Sequence, residues 1–469
     1  MNLQLALLLG YSALLVGVGV WIGRRVSGTK DFFVAGRSLG PGLIFSTMLA
    51  ANIGAGSTVG ATGLGYRDGV SAWWWVGSAG LGSVILALWI GPAIRRVAER
   101  HDLRTVGDYL EFRYGRSVRG IMSLLIWMGS LAIPAGQFLA IASILNVVIG
   151  LPKYAGCLTA GAVVIVYFTA GGLLTSAWVN MVQLAVKLLG FAIAVPLALR
   201  GVGGLHALAG VQATNPSYWN FWSGGSSGVV YLALLGPAFI VSPGLLQKIY
   251  GARDDHAVRL GVGLNAIGLL LYAGVPPLMG LIARARFPSL PNQELALPMV
   301  LMYGVPPVIG GLGLAAVFSA EISAADAGLF MLTTSLSQDL YKRFLNPAAD
   351  DRHVLAVTRG AAIACGACAV ALAIVSPTII NVIGFFYALL GVSLFVPILA
   401  GLYAQHAGTP EALASIVCGV ATMLAVHLMT MGRGFSGLTP AMVGLMAALA
   451  GFLVILAARL PLARATQPS

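Results

Sequence analysis

The chain has 469 residues, 58% of them hydrophobic and only 9% charged, with a mean hydropathy of +0.90. A soluble protein carries about a quarter charged residues, so there is too little charge here to cover a water-exposed surface. The composition describes a polytopic helical membrane protein in contact with a lipid bilayer, and the formal charge of +12 has to be explained by membrane topology rather than by a nucleic-acid partner.

Apolar runs bounded by charges or by Gly and Pro predict thirteen spanning helices, over 3–22, 41–63, 70–94, 120–149, 155–171, 177–199, 228–247, 258–283, 305–336, 354–375, 378–403, 411–430 and 437–458. The first run is followed, not preceded, by its charges, Arg24 and Arg25. It reads as a spanning helix that starts outside rather than as a cleaved leader. No soluble domain is expected on either side of the bundle.

With Met1 outside, alternate loops hold twenty of the 27 Lys and Arg residues, among them Arg95, Arg96, Arg104, Lys248 and Lys342, against six on the opposite side. That bias predicts an outside N-terminus and a cytoplasmic C-terminus in the plasma (inner) membrane, and it absorbs the basic excess. Lys187 alone among the cations stays inside a helix. The longest outer loop, 200–227, carries Tyr218, Trp219, Phe221 and Trp222, which read first as an interfacial anchor and second as a gate. Cys157, Cys365, Cys368 and Cys418 lie in apolar stretches and read as small hydrophobes, not as a metal or redox site.

Two spans look broken. The second holds five glycines between Gly54 and Gly65, with Asn52 and Ser57 at mid-span. The seventh has Pro237, Pro243 and Gly244 around its centre. They are five spans apart, as the first and sixth members of an inverted five-helix repeat would be. Paired interruptions in two halves point to a transporter's midplane site, where unwound backbone offers carbonyls to a cation and helix N-termini to an anionic group. Close packing of small residues such as Gly56 and Gly60 is the plainer alternative.

The motifs resemble those of the solute:sodium symporter family. Asp31-Phe-Phe-Val-Ala-Gly-Arg-Ser-Leu-Gly40 is similar to the entry to its first core helix, and Ala50-Ala-Asn-Ile-Gly-Ala-Gly to its broken helix. Thr105-Val-Gly-Asp-Tyr-Leu-Glu-Phe-Arg-Tyr-Gly115 is similar to its loop between core helices two and three. Gly171-Gly172 with Trp178-Val-Asn-Met-Val-Gln183, and Ser337-Gln-Asp-Leu-Tyr-Lys342, match further family motifs in order. The resemblance implies one transporter domain in a five-plus-five inverted repeat: an extra N-terminal helix at 3–22, a first repeat over 41–199, a second over 228–403, and two closing helices over 411–458. It implies secondary active uptake of a small organic solute driven by a cation gradient.

The resemblance also implies a sodium site. Its ligands would be the carbonyls of Ala50 and Ile53 from the first core helix, and from the eighth the Ala320 carbonyl with two hydroxyls at Ser323 and Ala324. Ala324 has no side-chain oxygen, which leaves the site one ligand short. A family aspartate near the ion path is replaced by Asn180, while Asp326 appears on the eighth core helix. An intramembrane acid is a functional candidate because burying it is costly.

Glu321, Asp326 and Lys187 are the charges deep in spans. Lys187 lies about 10 Å beyond Asn180 on the same face, and helical rise puts Lys187 and Asp326 at depths of about 15 and 16 Å. The two could therefore meet, either as a charge pair or with the ammonium standing where sodium stands in relatives. Sodium is the expected coupling ion, with protons, or no ion, as the alternative. No other cofactor is expected.

The substrate pathway is expected to include Asn52, Ser57, Thr58, Trp75, Gln137, Ser242 and Tyr387. Trp73 to Trp75 read as lipid belt and packing before they read as a binding wall. Sugar-transporting relatives have an acid and a glutamine where this chain has Val76 and Ser57, which favours an amino acid or a carboxylate over a sugar. A channel would need a continuous polar lining, a sensor a signalling domain, and an enzyme a midplane catalytic cluster; none is visible in the sequence.

Overall fold

The computed structural model describes residues 37–171, 173–214, 216–222 and 228–465, with isolated positions between 5 and 17. Side chains are not described for 167, 170–182, 207, 212–214, 351 and 460–465. Most of the expected helix over 3–22 and most of the segment leading to Gly40 therefore fall outside the described residues, as does the side chain of Asn180.

The described chain is helical, and its only β-pairings are isolated bridges such as Leu39 with Ala252. Helix α1 (Pro41–Asn52) starts on a proline, whose fixed φ suits a first helical position. It stops at Ile53, which takes φ −90° and ψ 87°. A wide turn over Gly56–Gly60 restarts the coil into α2 (Ala61–Asp68), and Gly69, at φ +73°, turns the chain into the next span. Here only glycine escapes strain.

Helices α3 (Trp73–Ile85) and α4 (Gly91–Arg100) follow, then α5 (Val106–Tyr114), started by a capping box between Thr105 and Asp108. Next come α6 (Arg116–Ser130), α7 (Ala132–Ile149), α8 (Lys153–Gly171) and α9 (Leu173–Gly201). The outer loop is partly ordered as α10 (Leu205–Thr214). Helix α11 (Gly228–Val241) breaks at Ser242 before α12 (Pro243–Tyr250). The break follows from the ring of Pro243, which disfavours helical geometry in the residue before it; Ser242 takes φ −55° and ψ 120°.

Helices α13 (Asp255–Tyr272) and α14 (Val275–Arg286) lead to α15 (Ala296–Tyr303), a buried helix in a region expected to be loop. Helix α16 (Pro307–Thr334) is the central post, buried along most of its length, and it runs on as a wider coil to Leu345. A helix apolar all round belongs inside a bundle. Helices α17 (Asp351–Val375) and α18 (Ile379–Tyr403) close the core, and α19 (Thr409–Thr430) and α20 (Pro440–Ala465) pair on its outside.

Ten helical stretches among the described residues are long and apolar enough to cross a membrane. Of the thirteen expected spans, 41–63 is split by its break, 155–171 has a short described apolar stretch (Lys153–Val166), and 3–22 lies outside the description. Around the first break, α1 packs on α9, α13 and α16, so three helices can place side chains against its open carbonyls.

Candidate cation seat and transport cavity

The first break is braced from within and without. Ser57 Oγ donates towards the carbonyls of Asn52 (2.8 Å) and Gly54 (3.1 Å) and accepts from Gly54 N (3.0 Å). Gln137, on α7, accepts from Ala55 N at 2.7 Å. Gly54 sits tightly against α16, where an added Cβ would stand 2.3 Å from Ala324 Cβ.

On the other side of the break, Lys187 Nζ donates to the carbonyls of Ala50 (2.6 Å) and Ile53 (3.3 Å). Ser323 Oγ donates to the same Ala50 oxygen at 3.2 Å. Lys187 is fully buried. The ammonium thus lies on the two α1 carbonyls named above, with Ser323 beside it. An ammonium donates where a sodium ion would accept lone pairs, and both satisfy the same carbonyls.

Two expectations about charge need correcting. Lys187 does not take Asp326 as its partner: its bonds go to the α1 carbonyls, and the carboxylate acting on it is Glu321. Asp326 acts instead on Lys248, expected in a loop but buried on α12, where its Nζ donates to the Thr47 carbonyl at 3.1 Å. Depth along a helix does not fix azimuth: Glu321 and Asp326 are five residues apart, or about 500° around the helix, and so face neighbours about 140° apart. Glu321 Oε1 lies 2.6 Å from Thr58 Oγ1 on the far side of the break.

A cavity of about 50 Å³ lies against the break. Of the expected pathway residues, Asn52, Ser57, Trp75, Gln137 and Tyr387 line it, whereas Thr58 and Ser242 do not. Ser242 sits at the second break, and its helix reaches the cavity through Leu235 and Phe239 instead. Asn52 Nδ2 is held by Asn265 Oδ1 at 3.1 Å. Trp75 is buried and meets Tyr231 and Tyr387 edge-on, so it forms part of the wall and not of a lipid belt. Trp73 and Trp74 pack on Phe221 and Trp222 of the outer loop, and Trp74 Nε1 donates to the Phe221 carbonyl at 2.9 Å. This aromatic cluster joins the loop to the bundle.

The family model described as "SSF: Sodium:solute symporter family" matches residues 32–419, most of the chain. The chain belongs to the sodium:solute symporter family. It is a secondary active transporter, and the family's transport is sodium-coupled. It is 26% identical over 483 residues to the sodium/pantothenate symporter of Escherichia coli (strain K12), covering 97% of this chain and 96% of that one. It is 25% identical over 433 residues to the high-affinity proline transporter of Bacillus subtilis (strain 168), covering 87% and 88%. A solved structure described as a substrate-bound, outward-open state of a Na+-coupled sialic acid symporter shares the fold, with a TM-score of 0.83 at 18% identity over 98% of both chains.

Two motifs of this symporter, far apart in sequence, meet at the basic end. Arg119 Nη2 donates to Asp339 at 2.7 Å, and Arg119 Nη1 to Asp108 and Glu111 at 2.8 Å. Thr105 Oγ1 donates to Asp339 at 2.7 Å, and Arg343 pairs with Glu111. Burial pushes the Glu111 carboxyl up, but hydrogen bonds from Arg343 and Arg119 outweigh it and hold the group below its ordinary value. Arg113 donates to the carbonyls of Gly401 and Ala404 at the end of α18. The charges of α5, Asp108, Glu111 and Arg113, are the sequence's signal for this network, but partner choice needs the fold.

Proposed function

We propose that this symporter takes up a small amino acid or carboxylate through the cavity between Trp75, Tyr387, Phe239 and the first break. The walls are largely apolar, with Asn52, Ser57 and Gln137 as the polar groups among them, which suits a small solute with one polar or charged end. Relatives named for proline and pantothenate support that class. At about 50 Å³ the cavity is smaller than such a solute needs, so loading requires the walls to part.

Uptake is driven through the seat formed by Ala50, Ile53, Ala320 and Ser323, with sodium as the family's ion. The observation that carries the reading is the meeting of Ala50, Ile53 and Ser323 at one point in a helix break. A second reading is favoured by Lys187, whose ammonium holds that point at 2.6 Å from Ala50. In it, the lysine replaces sodium and transport is driven by protons or by solute alone. Asp326, which acts on Lys248 of α12, belongs to the same path, as does Asn180 by its place in the family pattern.

The protein spans the plasma membrane with its N-terminus outside and its C-terminus in the cytoplasm, following the Lys and Arg bias. Its repeats run over 41–199 and 228–403, with 411–458 as closing helices. The test is counterflow in proteoliposomes against amino acids, monocarboxylates and sugars, with and without sodium, followed by uptake in sodium-free buffer across a pH gradient for wild type and Lys187→Ala. Sodium-stimulated uptake indifferent to Lys187 would remove the second reading; sodium-independent, pH-driven uptake lost in the variant would remove the first.

A further inference from the structure

A second cavity, of about 220 Å³, lies at the end of the bundle opposite the basic one, the outer end in the orientation proposed above. It is lined by Ser143 and Asn146 of α7, Lys153 at the start of α8, Asn292 and Glu294 before α15, and Pro377 ahead of α18. Lys153 is near enough to act on the Glu294 carboxyl, yet the two make no ion pair among the described residues. Lys153 Nζ donates instead to the Ser376 carbonyl at 2.6 Å, and Glu294 Oε1 accepts from Ile379 N at 2.5 Å. The two side chains thus hold both ends of the loop between α17 and α18, which uses one hydrogen of the ammonium and one oxygen of the carboxyl. The second carboxyl oxygen has no hydrogen-bond partner among the described residues, although Glu294 is only 3% exposed. A buried carboxylate oxygen left unsatisfied is costly, so this position calls for a donor.

We propose that this cavity is a second solute site that binds a small zwitterion, its carboxylate against the Lys153 ammonium and its ammonium against Glu294. A bare metal cation is repelled by the lysine and a simple anion by the carboxylate, whereas a molecule carrying both charges answers both. The ligand's ammonium also favours the ionised carboxyl that burial disfavours. The volume suits a small molecule. The site is linked to the transport cavity through two helices. Helix α7 lines both, and α18, which begins beside the outer cavity, brings Ile383 and Tyr387 to the inner one. The start of α18 also packs on the restarted half of the broken helix, where an added Cβ at Gly60 would stand 3.3 Å from Ile379 Cγ2. A zwitterion held here waits at the outer approach to transport. That it is the transported solute rests on the amino-acid reading above; that it binds does not.

Equilibrium binding of radiolabelled L-alanine to the full chain in nanodiscs tests the site, with propionate and ethylamine as competitors that carry one charge each. Lys153→Gln and Glu294→Gln should each weaken this binding roughly tenfold or more, as loss of a charged hydrogen bond does. Ser143→Leu, which narrows the cavity without touching a charge, should weaken it too. Trp75→Ala, in the wall of the transport cavity, should leave it in place, and both competitors should displace alanine at least tenfold less well than unlabelled alanine does. Alanine binding lost in Trp75→Ala but indifferent to all three outer variants would overturn the outer site and leave the amino-acid reading of the transport cavity standing. Binding lost in the outer variants alone would support the outer site and count against that reading. No alanine bound by wild type, or propionate competing as well as alanine, would also overturn the site. Folding is checked by circular dichroism, and the exposed position of Lys153 keeps the test open should Glu294→Gln be unstable.

Discussion

Lys187 Nζ lies 2.6 Å from the Ala50 carbonyl oxygen, closing with a side chain a position that an unwound helix leaves open to cations. Two unit charges repel by roughly 4 kcal/mol at about 4 Å in an effective dielectric of 20, on the order of a thousandfold in occupancy. Lys187→Ala should therefore bring the half-saturating sodium concentration down by about a hundredfold or more, allowing for screening by Glu321. A sodium titration followed by tryptophan fluorescence measures this. An unchanged midpoint would mean that the ammonium does not compete for the site.

Ser323 and Ser319 are both buried and one turn apart on α16, but Ser323 donates to Ala50. Ser323→Ala should weaken cation-dependent uptake about fivefold, from a hydrogen bond worth about 1 kcal/mol. Ser319→Ala should have a smaller effect. Initial uptake rates against cation concentration compare the two, and equal ion dependence in both variants would remove Ser323 from the seat.

The helical class and both breaks were legible because they rest on local chemistry. Glycine density at Gly54–Gly65 and the proline after Ser242 act on the backbone where they stand. Depth along a helix was legible too, which is why Lys187 could be set near the level of the break. Direction around the helix was not: pairing Lys187 with Asp326 required knowing which face of α16 meets α9, and tertiary packing decides that. Lys248 was misplaced for a related reason. A terminal basic residue looks like loop until a neighbouring carbonyl, here that of Thr47, is brought over it. The network joining Arg119 to Asp339 spans 220 residues of sequence and leaves no periodic signal.

Gly54 lets α16 approach the break. With an added Cβ only 2.3 Å from Ala324 Cβ and 2.8 Å from Gln137 Oε1, Gly54→Ala must push one helix away or rotate Gln137 off Ala55. Overpacking of this kind costs about 1–3 kcal/mol, so the apparent Tm in detergent should fall. Adding Ala324→Gly removes the nearer clash and should recover part of the loss. No recovery in the double variant would show that the contact between these two positions is not what limits the substitution.

Glu294 lies outside the spans, in the segment leading to α15, where it accepts from Ile379 N at 2.5 Å and so caps the start of α18. Burial pushes its carboxyl up from 4.5 to about 7, against the Ile379 hydrogen bond and the nearby Lys153, which both pull it down. Between those two values the folded protein holds a proton that the unfolded chain has released, so stability falls as pH rises through this window. The contribution is fully present below about pH 4.5 and is lost as pH passes about 7. Glu294→Gln keeps an oxygen for Ile379 N and never ionises, so it should flatten that part of the profile. Apparent Tm measured at intervals across the window, for both proteins, gives the comparison. A slope of equal size in the glutamine variant would assign the pH dependence to other groups, and a slope of opposite sign in wild type would mean that Glu294 is ionised in the folded state.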